Sequence, residues 1–255
     1  ALVVQALPAG SRAAAVGVLR DITLIERTES MRRTFVADVS HELRTPIASI
    51  AAAAETLADG GTDKAETAEL LGLIRRQSDR MRELIDDLMD LAQIESGSVP
   101  LERRDIRLHE LLTEVVEDLE AAAREKNVSV VVEGEAEAVV MGDPRRLGQL
   151  ARNLIDNAIK FSPPGSPVSV RVFRESGRAG FTVSDRGPGI PRSERDKIFQ
   201  RFYQVDRSRS KARPGSGLGL AIVKHIAQLH GASVEVEGDV GSGSVFRVRF
   251  PAAVA

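Results

Sequence analysis

The chain has 255 residues, 42% hydrophobic and 28% charged, with a formal net charge of −2. That balance suits one large or two modest globular domains, excludes a disordered polyelectrolyte, and gives no electrostatic ground for nucleic-acid or membrane binding. With 0 cysteines there is no disulfide and no thiolate metal site, and no run approaches the roughly 18 apolar residues of a membrane span.

The first predicted element is a strand, Ala14 to Arg20, followed by Asp21-Ile22-Thr23. This is similar to the last strand and exit of a PAS sensor domain, and an unstructured chain end is the alternative. Twenty-odd residues bury no core of their own. Because the chain starts at Ala1 rather than Met, it is expected to be the cytoplasmic portion of a longer parent, one that inner-membrane segments would anchor.

A helical pattern follows from about Leu24 to Ala58. Val36, Leu43, Ile50 and Leu57 recur every seven residues as seam position a, and Val39, Pro46 and Ala53 stand near the other seam position. His41 then falls at f, away from the seam, with Thr45 one turn further along the same face and Glu42 beside it. A lone helical histidine is ordinarily just a surface residue. One with a neighbouring acid, a hydroxyl one turn on and Pro46 beyond is presented as a nucleophile would be.

Asp59-Gly60-Gly61-Thr62-Asp63 breaks the pattern, and a second helix runs from about Lys64 to Ile94. Its apolar stripes are Ile74, Met81 and Leu88, with Leu70, Leu84 and Leu91 alongside. Two such helices make an antiparallel hairpin, and two hairpins make a four-helix bundle. A homodimer is therefore expected; the alternative is that another domain of the same chain covers the seam.

Residues 95–100 read as a linker. Beyond it come one amphipathic helix (Leu108, Leu111, Leu112, Val115, Leu119) and short strands at Val128–Val132 and Ala138–Met141. Asp143-Pro144 opens a helix to about Phe161, Asp as N-cap and Pro in the first turn. Strands at Val168–Phe173 and Gly180–Asp185, a helix at Leu218–His230, and strands at Val234–Val236 and Val245–Phe250 complete the chain. Without strict βαβ alternation, this is a layered α/β sandwich rather than a doubly wound sheet.

Four stretches of this second half carry chemistry. Asn153, Asn157 and Lys160 fall at i, i+4 and i+7 on one helical face, where amide oxygens suit a magnesium ion already on phosphates and the lysine suits phosphate. In Asp185-Arg186-Gly187-Pro188-Gly189-Ile190, strand alternation turns Asp185 to the same side as Phe181 and Val183, where a buried carboxylate needs a donor such as an adenine amino group. Ile198-Phe199-Gln200-Arg201-Phe202-Tyr203 precedes Arg207, Arg209, Lys211 and Arg213; those basic residues either meet phosphates or form a solvated loop, and singly they read as loop. Gly215-Ser216-Gly217-Leu218-Gly219-Leu220 runs into a helix, whose N-terminus offers N–H groups to phosphate. It is neither a Walker A nor a dinucleotide-binding fingerprint.

Ser40-His41-Glu42-Leu43-Arg44-Thr45-Pro46 resembles the H-box of bacterial sensor histidine kinases, and the four later stretches resemble, in order, that family's N-box, G1 box, F-box and G2 box. The match runs over roughly residues 26–250. The family more often has Asn or Thr at Arg186. The resemblance implies a multidomain α and α+β chain: a PAS-like remnant and signalling-helix entry (1–24), a dimerisation and phosphotransfer hairpin (25–96), and an ATP-binding sandwich of the Bergerat type shared with gyrases (97–255).

It further implies that ATP and Mg²⁺ bind at Asn153, Asn157, Lys160, Phe161, Asp185, Gly187, Gly189, Ile190, Gly215, Gly217, Leu218 and Gly219, with Asn157 and Asn153 as metal ligands. Catalysis would fall to His41, Glu42 and Thr45: phosphorylation of His41, transfer to an aspartate of a response-regulator receiver domain, and dephosphorylation of that partner through the Glu42-x-x-Thr45 pattern. No nucleic acid and no membrane contact within this piece are expected. The competing reading, a non-catalytic dimeric scaffold, predicts loss of the histidine, the aspartate or the asparagines, and none is missing.

Overall fold

The computed structural model describes residues 2–7, 16–21, 23–96, 100–175, 177–205 and 216–252. The chain divides into two compact units, Ala1–Ser78 and Asp79–Ala255, and the division falls within the second long helix.

In the first unit, strands β1 (Leu2–Leu7) and β2 (Val16–Asp21) pair antiparallel. The pattern at 14–20 gave β2 but no sign of β1. Helix α1 (Thr23–Ala58) runs unbroken through Pro46. Residues 59–63 turn the chain into α2 (Lys64–Ser96). Asp63 caps α2, its Oδ1 accepting from the N–H groups of Ala65 and Glu66 at 2.8 and 2.9 Å, the side-chain rescue that an orphaned helix start requires. Along the expected seam Pro46 and Ala53 are buried, but Val36 is 58% exposed and Ile47, outside the seam assignment, is 50% exposed. Apolar surface left open on one chain is what a bundle completed by a second copy leaves.

The second unit contains residues 79–96 of α2 and the whole sandwich. Glu95 and Ser96, expected in a linker, continue the helix. Residues 97–99 of that linker lie outside the described residues. Strand β3 (Arg104–Arg107) pairs with β5 (Val139–Gly142) and was not foreseen; four residues of sequence Arg-Asp-Ile-Arg carry too little apolar alternation to declare themselves. Helix α3 (Leu108–Asp118) is followed by the short α4 (Glu120–Glu125).

The main sheet has five strands in the order β4 (Ser129–Gly134), β6 (Pro167–Glu175), β7 (Arg178–Ser184), β9 (Val245–Arg249) and β8 (Ser233–Glu237). Only β4 and β6 are parallel; the other pairs run antiparallel. On one face Val168, Val170, Val172, Phe181, Val183, Phe246 and Val248 are buried against α3, α5 (Pro144–Phe161) and α6 (Gly219–Leu229). Those helices contribute Leu112, Leu150, Leu154, Ile155, Ile222 and Ile226, all buried. Each such side chain is worth about 1.5–3 kcal/mol relative to exposure. The opposite face carries solvated cross-strand ion pairs, Arg171 with Glu133 and Arg249 with Glu235, which add little. Helix α5 is fixed at its start by Asp143, whose Oδ1 accepts from the Arg146 N–H at 3.1 Å and whose Oδ2 accepts from the Glu102 N–H at 3.0 Å. The cap and Pro144 are as the sequence reads. Among the described residues no helix is long and apolar enough to cross a membrane.

Candidate functional site

The acceptor site sits on α1. His41 and Thr45 are exposed, Glu42 half-buried and Pro46 buried, so the helix turns Pro46 inward and the histidine outward, as the f position requires. Pro46 lacks the N–H that the Glu42 carbonyl would otherwise receive four residues on. The neighbouring hydroxyls are spent on the helix itself: Ser40 Oγ donates to the Val36 carbonyl at 2.8 Å and Ser49 Oγ to the Thr45 carbonyl at 3.1 Å. The Thr45 hydroxyl makes no such bond among the described residues, which leaves it for a ligand or a water.

The second site is assembled around α5. Its half-buried polar stripe brings Asn153, Asn157 and Lys160 onto one side. The Asn153 amide nitrogen is buried and has no hydrogen-bond partner, an orphan donor of the kind that native interiors do not keep without a use. Lys160 pairs with Asp156 at 2.7 Å in a half-exposed bridge, and Lys126 caps its carbonyl from below.

The glycine segments close on the two ends of this stripe. A Cβ on Gly219 would stand 3.5 Å from Asn153 Oδ1, so the start of α6 lies against the middle of α5. A Cβ on Gly187 would meet Asp185 Oδ1 at 2.8 Å and the Phe161 carbonyl oxygen at 3.0 Å, so this loop lies against the end of α5 and only glycine fits there. Phe161 itself is 43% exposed and Ile190 half-buried. Gly217, at φ +71°, has its Cβ position 2.9 Å from Phe202 Cα, and its carbonyl accepts from the Phe202 N–H at 2.9 Å. Phe202 is itself held at φ +58°. Leu218 is fully buried, and its N–H donates to Ser216 Oγ at 3.1 Å. Gly215, with the basic residues 207–213, lies outside the described residues.

Asp185 follows the end of β7 and faces inward with Phe181 and Val183, 7% exposed. Its Oδ1 accepts from the N–H groups of Gly187 at 2.7 Å and Ser244 at 3.3 Å. Burial pushes its carboxyl above the ordinary carboxylate value, and those donors hold it back. The β8–β9 turn supports this residue directly. Gly243 (φ +84°) passes so close to the Asp185 carbonyl that a Cβ would lie 2.0 Å from its oxygen, and the Ser244 carbonyl accepts from the Asp185 N–H at 2.9 Å. Gly189 (φ +72°) abuts the Asp239 carbonyl in the same turn. The available signal was Gly241-Ser242-Gly243-Ser244 immediately before a strand that pairs with β7.

The donor set fits an adenine nucleotide: a buried carboxylate for an amino group, glycine backbone for close approach, and an unused amide beside a helix start. Among the described residues no group of three His, Cys, Asp or Glu side chains is placed to hold a metal.

Two family descriptions match the chain in this order. Residues 31–97 match "His Kinase A (phospho-acceptor) domain" and residues 142–254 match "Histidine kinase-, DNA gyrase B-, and HSP90-like ATPase". The sensor-like histidine kinase SenX3 of Mycolicibacterium smegmatis is 33% identical over 97% of this chain and 65% of its own length. The structure of the mycobacterial sensor histidine kinase MprB is 32% identical, with a TM-score of 0.52 over 58% of this chain and 97% of that one. Full-length ShkA, solved with AMPPNP, is 29% identical, with a TM-score of 0.64 over 87% of this chain and 46% of that one. The chain spans about two thirds or less of the length of the curated relatives it matches. The exposed His41 helix, the cradle around α5 and these matches lead to one family: the chain belongs to the sensor histidine kinases of two-component systems.

Proposed function

We propose that this chain is the core of an ATP-dependent protein-histidine kinase: it phosphorylates its own His41, passes the phosphoryl group to an aspartate on a response-regulator receiver, and also dephosphorylates that partner. The observation that carries the reading is the convergence on α5 of Asn153, Gly187 and Gly219, in one chain with an exposed histidine on a long helix. The AMPPNP in the ShkA structure supports the ligand class. Domain boundaries at 25–96 and 97–255 follow from the same reading, with 1–24 the remnant of an upstream sensor. Dimerisation through the open α1–α2 seam follows as well.

The chain's own groups have separable tasks. Asp185 accepts from the adenine amino group and excludes bases that present a carbonyl there. Gly187 and Gly189 let backbone approach the base, and the Asn153 amide and Lys160 face the phosphates. Asn157 and Asn153 are the residues whose side-chain oxygens would hold a magnesium ion, which would neutralise phosphate charge. At His41 the lone-pair nitrogen attacks the γ-phosphorus, an N–P bond forms, and the P–O bond to the departing ADP breaks. Glu42 holds the other ring N–H and takes its proton as positive charge develops. Thr45, with a free hydroxyl one turn along, orients the water that hydrolyses the partner's aspartyl phosphate.

Incubation with magnesium and ATP labelled at the γ position tests the activity. The chain should acquire label that acid removes and base does not. Absence of label, or a base-labile bond, would remove the histidine-kinase reading.

A further inference from the structure

Residues 79–96 of α2 lie in the same compact unit as the sandwich, and their contacts with it are polar and specific. Asp87 Oδ2 accepts from Ser216 Oγ at 2.6 Å. Asp90 Oδ1 pairs with Arg146 Nη1 at 3.2 Å, and its Oδ2 accepts from Gln149 Nε2 at 2.6 Å. Arg146, its side chain 5% exposed, also donates to Gln93 Oε1 at 3.3 Å and to Gln149 Oε1 at 3.1 Å. Positions 87, 90 and 93 are three apart and share one helical face, flanked by the buried Leu84, Leu91 and Ile94. Arg146, Gln149, Asn153, Asn157 and Lys160 likewise share one face of α5. The strip from α2 therefore docks on the same side of α5 that carries the nucleotide residues.

Asp87 stands at the phosphate end of that side. Its hydrogen-bond donor is the Ser216 hydroxyl, two residues before Leu218 caps α6. Burial raises the Asp87 carboxyl above the ordinary carboxylate value and the Ser216 bond opposes this, with Asp90 and Glu83 raising it and Lys160 lowering it. A hydroxyl at a glycine-rich helix start is a group that an anionic phosphate also uses.

We propose that Asp87 is an internal competitor for the nucleotide's phosphates: with α2 docked, its carboxylate takes the Ser216 hydroxyl that the phosphates need and sets a negative charge beside them. The Asp90–Arg146–Gln149 cluster holds the strip in place, and phosphates entering the site meet a like charge. Nucleotide binding and release of residues 79–96 are then two sides of one equilibrium, each weakening the other by the same factor. This rests on the adenine-nucleotide reading above.

The test is calorimetric titration of the full chain with magnesium–AMPPNP and, separately, with adenosine, for wild type, Asp87→Asn and Asp90→Asn. Both variants should bind AMPPNP at least about fivefold more tightly than wild type, the lower end of ordinary coupling factors, and adenosine as wild type does. Thermal melts of each variant verify folding, and Asp87→Ala repeats the measurement with the hydrogen bond gone as well as the charge. Unchanged AMPPNP affinity in a folded Asp87 variant overturns the proposal while leaving the nucleotide site intact. An equal change for AMPPNP and adenosine also overturns it, since a merely structural carboxylate would act on both. Failure of wild type to bind either ligand defeats the nucleotide reading itself, and the competition with it.

Discussion

Asp185 shows how one residue's environment defines its task. Its Oδ1 holds two backbone N–H groups, and an asparagine oxygen can accept both. Asp185→Asn should therefore fold with a melting temperature no lower than wild type, because it also removes a charge that burial disfavours. Its affinity for ATP should fall by about 1.5–3 kcal/mol, roughly 10- to 150-fold, the worth of a hydrogen bond to a charged acceptor. Calorimetry giving an affinity within about twofold of wild type would reduce Asp185 to a turn residue. Thr45 is the second test at this scale. Its hydroxyl is exposed and makes no bond to the helix among the described residues, whereas Ser40 and Ser49 do. Thr45→Ala should keep autophosphorylation near wild type and slow decay of the phosphorylated receiver by about tenfold or more, the usual worth of a positioned group. Equal decay rates would remove Thr45 from the mechanism, and parallel loss of both activities would assign it to the structure of α1 beside Pro46.

Among the elements, the β8–β9 turn and the α5–α6 junction carry consequences that pattern alone does not reveal. Gly243→Ala places a Cβ 2.0 Å from the Asp185 carbonyl oxygen at φ +84°, whereas Gly241→Ala, at φ +88°, meets nothing within 4 Å. The first should cost more than about 2 kcal/mol and weaken nucleotide binding; the second should cost only the left-handed penalty of roughly 1–2 kcal/mol and leave binding alone. Equal denaturation midpoints for the two would contradict the buttress.

His230, buried where α6 ends, accepts the Asp143 N–H at Nε2 (3.0 Å) and bonds the Ile226 carbonyl through Nδ1 (2.8 Å). That pattern needs the neutral ring. Burial, opposed by the bond to Ile226, lowers its pKa below the ordinary 6.5, with Arg103 lowering and Asp143 raising it. The unfolded chain thus takes up the proton first, so the contribution is complete above the ordinary value and lost as pH falls through the depressed one. Wild-type stability in denaturant should decline below about pH 6.5, and His230→Gln should show a shallower decline. Identical slopes would mean that other groups carry it.

Legibility followed the same division. Helix α5 was readable to the residue because its start is local chemistry, an Asp cap and Pro144. The direction of Asp185 was readable from alternation. Strand β3 was invisible because four residues without alternating apolar character owe their conformation to β5. Ser244 and Gly243 were missed because their importance arises from tertiary return of β9 beside β7.

For the molecule as a whole, the two compact units divide the labour: one presents a histidine on α1, the other builds a cradle around α5. The seam residue Val36 and its neighbour Ile47 stay exposed on the single chain. Heptad spacing predicts an apolar seam that a second hairpin covers, and the exposure of Val36 on one chain shows that a pattern fixes which face is apolar without fixing what covers it.

The most direct measurement of the central claim is labelling of His41→Gln from γ-labelled ATP, beside wild type and with AMPPNP affinity determined on the same preparations. The account predicts that the variant binds the nucleotide within about twofold of wild type, since His41 takes no part in holding it, and acquires no acid-labile label. Persistent acid-labile label on a folded, nucleotide-binding His41→Gln chain would place the acceptor elsewhere and contradict the account.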